Sequence, residues 1–286
     1  MVDIAPALLE KIRQSFLDNI QKNERAALIM RQIEAGIATY EKAGDYAYEI
    51  GTALADAFAE HITPGALPDG KMYQNIAEKV IAPMLEENHK LVSDTAVHVQ
   101  QLLNKNAGIG LKAQASPLNK GRVSGIVHKV SNAPEFASVA WALNEPVKTF
   151  SQSVVDETLQ KNVKFQGEFG LKPKVTRKTV GGCCEWCSNL AGSYRYPDVP
   201  HDVYRRHDRC RCVVDYDPGS GKKQSVHSGI EGKRNYVQDE YGDYVQTKEA
   251  RLRHAKEMAE TEKERMAAAR EKRIATWGKK SNKTQK

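Results

Sequence analysis

The side chains best suited to chemistry are the five cysteines, all of which fall within a stretch of 30 residues. With a nearby histidine they form two clusters, namely Cys183, Cys184 and Cys187, followed by His207, Cys210 and Cys212. A Cys-x-x-Cys turn places two thiolates on one side of the chain, and a second pair about 20 residues later can complete a tetrahedral site. This spacing predicts a structural zinc site, because cysteine-rich zinc sites are usually closed to substrate.

More than one set of four ligands satisfies this spacing, and the sequence leaves the choice open. The first cluster supplies one pair of cysteines. The second supplies either its histidine and first cysteine or its two cysteines, since imidazole and thiolate both suit zinc. Cys183 is surplus in either arrangement. The candidate metal ligands are therefore Cys184, Cys187, His207, Cys210 and Cys212.

Four arginines surround the second cluster in the sequence, at Arg205, Arg206, Arg209 and Arg211. Positive charge of this kind favours the thiolate form of cysteine. It would also offset the excess negative charge of a site with several thiolates. We therefore expect these arginines to support metal binding.

Other uses of these residues have weaker support in the sequence. Structural disulfides are unusual in a protein made in the cytoplasm, and a redox Cys-x-x-Cys needs a βαβ setting that the flanking sequence lacks. A catalytic thiolate at Cys184 with His207 as its base would need an oxyanion hole, which no motif indicates. The alternative function is a metal-dependent nuclease that also uses His201, Asp202 and Asp208, although such residues near prolines are usually turn formers.

The N-terminal part of the chain has the periodicity of helices. Apolar residues recur every three or four positions along four stretches, which predicts helices that each bury one face. These stretches are residues 9–29, 45–61, 72–81 and 84–103. Pro83 has no amide hydrogen and is expected to begin the fourth helix or to kink the pair. Residues 106–116, rich in Gly, Ala and Asn, are the expected linker.

The rest of the chain adds a strand and more helix. A helix is expected over residues 147–162, and residues 174–180 alternate β-branched and basic side chains, as in a half-buried strand. Residues 247–277 contain no Gly or Pro and predict a long charged helix. The expected fold is α+β and predominantly α-helical, with a helical N-terminal region, a small zinc-stapled module containing β-structure, and a long C-terminal helix.

These elements predict five regions. They are an acidic helical region (1–105), a linker (106–116), a basic mixed region (117–180), a Cys/His-cluster module (181–225), and a basic charged helix with a disordered tail (226–286). The net charge of +7 divides accordingly: residues 1–110 carry −5, residues 111–180 carry +6, residues 181–225 carry +1 and residues 226–286 carry +5. Basic surfaces attract polyanions such as nucleic acid. So mild an excess also fits an ordinary solvated surface, and no nucleic-acid-binding residue is identified.

The sequence contains no signal for membrane insertion or secretion. No apolar run approaches the ~18 residues that a membrane-spanning helix needs. The first ten residues have no basic segment before an apolar stretch, unlike a secretory signal. We therefore expect synthesis in the cytoplasm and no membrane partner.

The two clusters and the segment between them resemble the signature of the Mu F-like phage head morphogenesis proteins. The shared pattern is Cys-x-x-Cys, Leu190-Ala191-Gly192, a proline-containing stretch and His-x-x-Cys-Arg-Cys, and it covers residues 182–216. That family usually has a proline directly after the histidine, where this chain has Asp208. The run from Asp202 to His207 is similar to the branch found in phages of Gram-positive bacteria.

This resemblance implies a minor capsid protein of a tailed phage, a virion component that acts in head morphogenesis. Such a protein is made in the host cytoplasm and lies inside the capsid near the portal. Its partners would be the portal protein, the scaffold or major capsid protein, and packaged double-stranded DNA bound without sequence specificity. Some relatives leave with the genome during ejection. Others carry toxin or enzyme domains, but residues 226–286 look helical, so we expect no enzyme activity.

Overall fold

The computed structural model describes residues 3–180, 183–219, 236–238 and 244–246, the last two stretches by their backbone alone. The helices are α1 (Ala5–Lys22), α2 (Glu24–Glu34), α3 (Tyr40–His61), α4 (Gln74–Ala107), α5 (Lys120–Ser131), α6 (Glu145–Glu168) and α7 (Glu185–Asn189). The strands are β1 (Lys174–Lys178), β2 (Gly192–Arg195), β3 (Val213–Asp217), β4 (Tyr236–Gln238) and β5 (Tyr244–Gln246). The predicted fold class, α+β and predominantly helical, is confirmed.

The chain divides into two compact units, Met1–Gln224 and Ser225–Lys286. The first unit contains α1–α7 and β1–β3, so the predicted helical, basic and cysteine-containing regions pack together in it. In the second unit, β4 and β5 pair antiparallel with Val237 opposite Val245, a hairpin that the sequence prediction did not include. The helix predicted over residues 247–277 lies outside the described residues. Among the helices that the structure describes, none has the length and apolar character needed to cross a bilayer.

Helix α3 organises the helical part of the first unit, because it packs against α1, α2, α4 and α6. The side chain of Thr39 caps its N-terminus by accepting a hydrogen bond from the amide of Lys42. A Cβ atom at Gly51 would lie 2.7 Å from Oγ of Ser151 and 2.9 Å from Cα of Lys148. Only glycine therefore allows α3 to approach α6 this closely.

Of the two outcomes expected at Pro83, the start of a new helix is wrong, because α4 continues through this residue as one helix from Gln74 to Ala107. Pro83 cannot donate a hydrogen bond to the preceding turn. The neighbouring side chains of Ile81 and Met84 are fully buried in the core. Their burial favours a continuous helix and offsets the lost hydrogen bond, since a fully buried aliphatic side chain contributes about 1.5–3 kcal/mol.

Helix α5 was not predicted. Its valines Val123, Val127 and Val130 are buried on one face, as in other amphipathic helices. The two glycines Gly121 and Gly125 lower its intrinsic helix propensity and hid this pattern. Packing against α4 and against the 3-10 helix Ala140–Leu143 stabilises it instead.

The segment predicted as a linker, residues 106–116, is held along α6. The side chain of Asn162 accepts a hydrogen bond from the amide of Gln114 and donates one to its carbonyl, both at 2.8 Å. The hydroxyl of Ser116 donates to the carbonyl of Val154 at 3.4 Å. Residues on both sides of this segment therefore belong to one packed unit.

The strands β1, β2 and β3 form an antiparallel sheet in the order β2-β1-β3. The strand predicted over residues 174–180 is β1, in which Val175 and Arg177 face the interior. In β3 the inward residues are Val214 and Tyr216, and β3 packs against α3. The sheet is therefore joined to the helical core through one face.

A buried polar network connects this sheet to three helices. Tyr40 of α3 donates to Oε1 of Gln100 at 2.6 Å, and Nε2 of Gln100 donates to Oδ1 of Asn104 at 2.7 Å, both of α4. Gln166 of α6 donates to the same Asn104 oxygen at 2.8 Å. The hydroxyl of Tyr216 donates to Oε1 of Gln166. Burial raises the pKa of Tyr216 to about 12, so this donor keeps its proton at neutral pH.

We expect Tyr216→Phe to lower the free energy of unfolding by about 1–3 kcal/mol, because it leaves the buried carbonyl oxygen of Gln166 without a donor. Urea denaturation followed by circular dichroism measures the change. Tyr73→Phe is the matched control, since the Tyr73 hydroxyl bonds an exposed Asp69 at 3.3 Å. Equal losses in the two variants would contradict the proposed role of the network.

Candidate metal centre

The first cysteine cluster is shaped by the start of α7. Cys184 is the N-cap residue, and its Sγ accepts a hydrogen bond from the backbone amide of Cys187 at 3.5 Å. Cys187 is buried in the first turn of the helix, whereas Cys184 is exposed. The cap geometry therefore turns both sulfur atoms to the same side, as the Cys-x-x-Cys spacing predicts.

The second cluster is shaped by a tight turn between His207 and Cys210. The amide of Cys210 donates to the carbonyl of His207 at 3.1 Å, and Arg209 adopts a left-handed conformation with φ of 61°. Nδ1 of His207 lies 2.7 Å from the carbonyl oxygen of Asp208. A carbonyl only accepts hydrogen bonds, so Nδ1 carries the proton and Nε2 presents its lone pair. Metal-binding histidines commonly have this arrangement.

The structure brings the two clusters together. Nε2 of His207 lies 3.3 Å from Sγ of Cys184 and 3.2 Å from Sγ of Cys187, and the sulfur atoms of Cys187 and Cys210 are 3.7 Å apart. Two sulfur atoms about 2.3 Å from a tetrahedral ion would lie about 3.8 Å from each other. These distances fit the edges of such a site, and the Cys/His cluster could hold a metal ion.

The five predicted ligands are neighbours in the structure, but no four of their ligand atoms lie within 4.8 Å of one another. In the described part of the chain, potential ligand atoms within 4.8 Å of one another form two groups of three. The groups are Cys184, Cys187 and His207, and then Cys187, Cys210 and Cys212. Cys187 belongs to both groups.

The other residues considered from the sequence belong to neither group, although Cys183 packs against the buried cysteines Cys187, Cys210 and Cys212. The Sγ of Cys183 lies 3.3 Å from the hydroxyl of Ser188. His201 and Asp202 are exposed and lie 3.7 Å from each other, and Asp202 pairs with Arg205 at 3.2 Å.

A buried arginine from β1 contacts two sulfur atoms of the centre. The Nη2 of Arg177 lies 3.5 Å from Sγ of Cys187 and 3.6 Å from Sγ of Cys210. Its Nη1 donates to the carbonyls of Val203 and Arg205 at 2.6 and 2.9 Å. Arg177 is only 2% exposed, so its guanidinium group is removed from water. Among the residues that the structure describes, the sulfur atoms are the chargeable groups to which it is hydrogen-bonded.

Burial and hydrogen bonding shift the pKa values of Cys187 and Cys184 in opposite directions. Burial raises the pKa of Cys187 to about 12. The hydrogen bond from the Cys187 backbone amide lowers the pKa of Cys184. A metal ion would therefore have to displace the proton of Cys187, which links binding to pH.

The arginines of the second cluster were expected to surround the thiolates; Arg206 does interact electrostatically with Cys210 and Cys212, but three of the four also make contacts with other groups. Arg206 forms a buried ion pair with Asp156 of α6, and its Nη1 donates to the carbonyl of Cys212 at 2.8 Å. Arg211 lies over the ring of Tyr48, with its guanidinium carbon 4.0 Å from the ring centre. Arg205 pairs with exposed Asp202. These contacts attach the second cluster to the helices and to its own loop.

Trp186 lies beside the centre between the two cysteines of the first cluster. Its ring is 5.8 Å from the His207 ring in an edge-on arrangement, and the guanidinium carbon of Arg177 lies 5.4 Å from its centroid. The side chain is 38% exposed.

Sequence reasoning missed Arg177, although the strand pattern contained a signal. In β1 the inward positions alternate with outward ones, and Arg177 occupies the inward register shared with Val175. A cation at an inward position requires a buried partner. That partner belongs to clusters that begin six residues further along the chain, which the spacing of the strand alone does not indicate.

Comparison of the chain with protein-family models, with curated proteins and with solved structures found no match in any of the three.

Proposed function

We propose that the Cys/His cluster holds one structural Zn²⁺ and that the module around it belongs to a non-enzymatic minor head protein of a tailed phage. The proposed ligands are Cys184, Cys187, His207 and Cys210. The first three are mutually close, and Cys210 lies at tetrahedral-edge distance from Cys187. Cys212 is the alternative fourth ligand, because it groups with Cys187 and Cys210.

The observation that carries the metal proposal is the burial of Arg177 against two sulfur atoms. A buried cation without an anion costs several kcal/mol. Three thiolates and a neutral imidazole around a divalent ion have a net charge of −1, which Arg177 would balance. Uncharged thiols would leave that arginine without a compensating charge, so the contact favours metal-bound thiolates.

Zinc fits these residues better than magnesium or calcium does. Sulfur and imidazole nitrogen are the ligands of structural zinc sites, whereas magnesium and calcium take oxygen. When bound, zinc would join the start of α7 to the turn before β3. Arg177 would hold the carbonyls of the loop before the second cluster. The carbonyl of Asp208 would fix the tautomer of His207.

The role at the level of the virion rests on the sequence signature and the charge distribution. The resemblance to Mu F-like head morphogenesis proteins suggests a place inside the capsid near the portal. The acidic front, −5 over residues 1–110, suits docking on a protein partner such as the portal, scaffold or major capsid protein. The basic remainder suits contact with the phosphates of packaged DNA without sequence readout.

Metal analysis of protein purified under anaerobic conditions tests the zinc site. We expect about one zinc per chain, retained through gel filtration, and a lower melting temperature after chelation. Absence of zinc together with an unchanged melting temperature would contradict the site. Two equivalents would show instead that each group of three ligands holds its own ion.

Fractionation of phage particles tests the proposed role. We expect the protein in purified DNA-filled heads, in far fewer copies than the major capsid protein, as measured by quantitative mass spectrometry. Its absence from heads would contradict the role. Metal-dependent cleavage of plasmid DNA that is lost in His207→Ala would favour the nuclease alternative.

A further inference from the structure

Helix α5 and the segments on either side of it carry an excess of positive charge. Residues 111–144 contain four lysines and arginines, Lys112, Lys120, Arg122 and Lys129, and one acidic residue, Glu135. Among the described residues, none of Lys120, Arg122 and Lys129 forms an ion pair with a carboxylate. Their charge is therefore available to a partner.

The outer face of α5 borders a shallow cleft of about 420 Å³. Its lining residues are Gly125, His128, Lys129, Asn132, Ala133 and Val139. The polar members of this set can donate hydrogen bonds to an anion through an imidazole, an ammonium group and an amide. Gly125 has open space where a side chain would project, so the floor of the cleft allows a close approach.

An exposed tryptophan holds the lysine of the cleft in place. The Nζ of Lys129 lies 5.3 Å from the ring centre of Trp141, within the range of a cation–π contact. Trp141 itself is 54% exposed, and it leaves the ammonium charge uncompensated, unlike a carboxylate. The arrangement positions a full positive charge at the edge of the cleft.

We propose that this face of α5, with its cleft and Trp141, binds the phosphate backbone of duplex DNA. The inference rests on the proposed function, in which the basic part of the chain contacts packaged DNA, and it assigns that contact to particular residues. Phosphate recognition by lysine, arginine, imidazole and amide donors needs no base contacts. The binding is accordingly independent of sequence and weakens as salt is raised.

Two substitutions at Gly125, with side chains of similar size and different charge, test this surface. Gly125→Glu places a carboxylate in the cleft, whereas Gly125→Gln places a neutral side chain of nearly the same size. Both replace a helical glycine that has free space, so neither should weaken the fold. Fluorescence anisotropy with a labelled mixed-sequence duplex, using the full zinc-loaded chain, measures affinity.

We expect Gly125→Glu to weaken DNA binding about tenfold at low salt and Gly125→Gln to change it less than about twofold, because only the first repels phosphate. Basic residues elsewhere contribute equally to both variants and cancel in the comparison. Unchanged binding in both variants would contradict the proposal that this surface binds DNA.

A charge-matched set extends the test. Lys120→Gln/Arg122→Gln/Lys129→Gln should reduce the slope of log affinity against log salt by up to about 3, since each phosphate contact contributes about 0.9. The control Lys11→Gln/Lys90→Gln/Lys105→Gln removes the same charge from exposed positions in α1 and α4. Equal effects in the two triple variants would overturn the surface.

The outcomes separate this inference from the function on which it rests. If the wild-type chain binds DNA but the Gly125 and triple variants match their controls, the surface is wrong and the proposed DNA contact stands. If the wild-type chain does not bind DNA, that contact fails too, while zinc content and presence in heads are judged separately. Binding to vesicles of anionic phospholipid in preference to duplex DNA would overturn the assignment to nucleic acid.

Discussion

Replacing Cys187 with serine is expected to abolish zinc binding and to cause the largest loss of stability of any single substitution in the module. Cys187 belongs to both groups of potential ligands, so the substitution removes a ligand whichever residue is the fourth. Structural zinc sites in small peptides have apparent binding free energies of about 10–16 kcal/mol at neutral pH, and part of that is folding free energy. Zinc content per chain and the melting temperature, each with and without chelator, measure the effect.

Cys183→Ser is the matched control for this prediction. Cys183 lies next to the cluster in sequence but outside both groups, with its sulfur 3.3 Å from Ser188. It should keep its zinc and respond to chelator like the wild type. Cys210→Ser and Cys212→Ser then identify the fourth ligand, since only the variant that lacks this ligand should lose its zinc. Full zinc content in Cys187→Ser would refute the site.

Asp156→Asn is expected to lower the free energy of unfolding by about 3–5 kcal/mol, because it leaves the charge of Arg206 buried without its partner. The side chains of Asp156 and Arg206 are 2% and 5% exposed, and the pair makes two hydrogen bonds. Arg206 also holds the carbonyl of Cys212, so the loss should extend to the metal module. Guanidinium denaturation of the zinc-loaded protein measures the change.

Two further variants keep this prediction open to refutation. Glu10→Gln breaks an exposed pair with Arg13 and should cost less than about 1 kcal/mol. The double variant Asp156→Leu/Arg206→Met removes both charges together and should recover most of the stability, since apolar replacements of buried pairs are often neutral. A double variant as unstable as Asp156→Asn would show that packing or the lost hydrogen bond to the Cys212 carbonyl, and not the stranded charge, causes the loss.

The sequence predicted much of the helical core because burial imposes a visible period. The stripe of Ile12 and Phe16 is buried in α1, and that of Ile50, Leu54 and Phe58 is buried in α3. Helix boundaries were harder. Local rules ended a helix at Pro83 and overlooked α5, where glycines weaken the pattern, because in both cases tertiary packing outweighs local propensity.

The candidate site was predictable as far as it is local. The Cys-x-x-Cys turn and the His207–Cys210 turn follow from short spacings, and their meeting follows from the requirement of tetrahedral binding. The contacts of Arg177 and of the Asp156–Arg206 pair join residues that are 10 to 50 positions apart. Such partners depend on how distant segments of the chain pack together, which no short spacing encodes.

The several contacts between the Cys/His-cluster module and α6 have a thermodynamic consequence. This helix carries Asp156 and Gln166, and Gly167, where an added Cβ would overlap the ring of Tyr196, while Gly51 of α3 packs against its Ser151. Helix α6 thus packs against both the Cys/His-cluster module and the helical bundle. Neither can melt without exposing the surface of the other, so loss of a bound ion would lower the melting temperature of the whole unit Met1–Gln224 in a single transition.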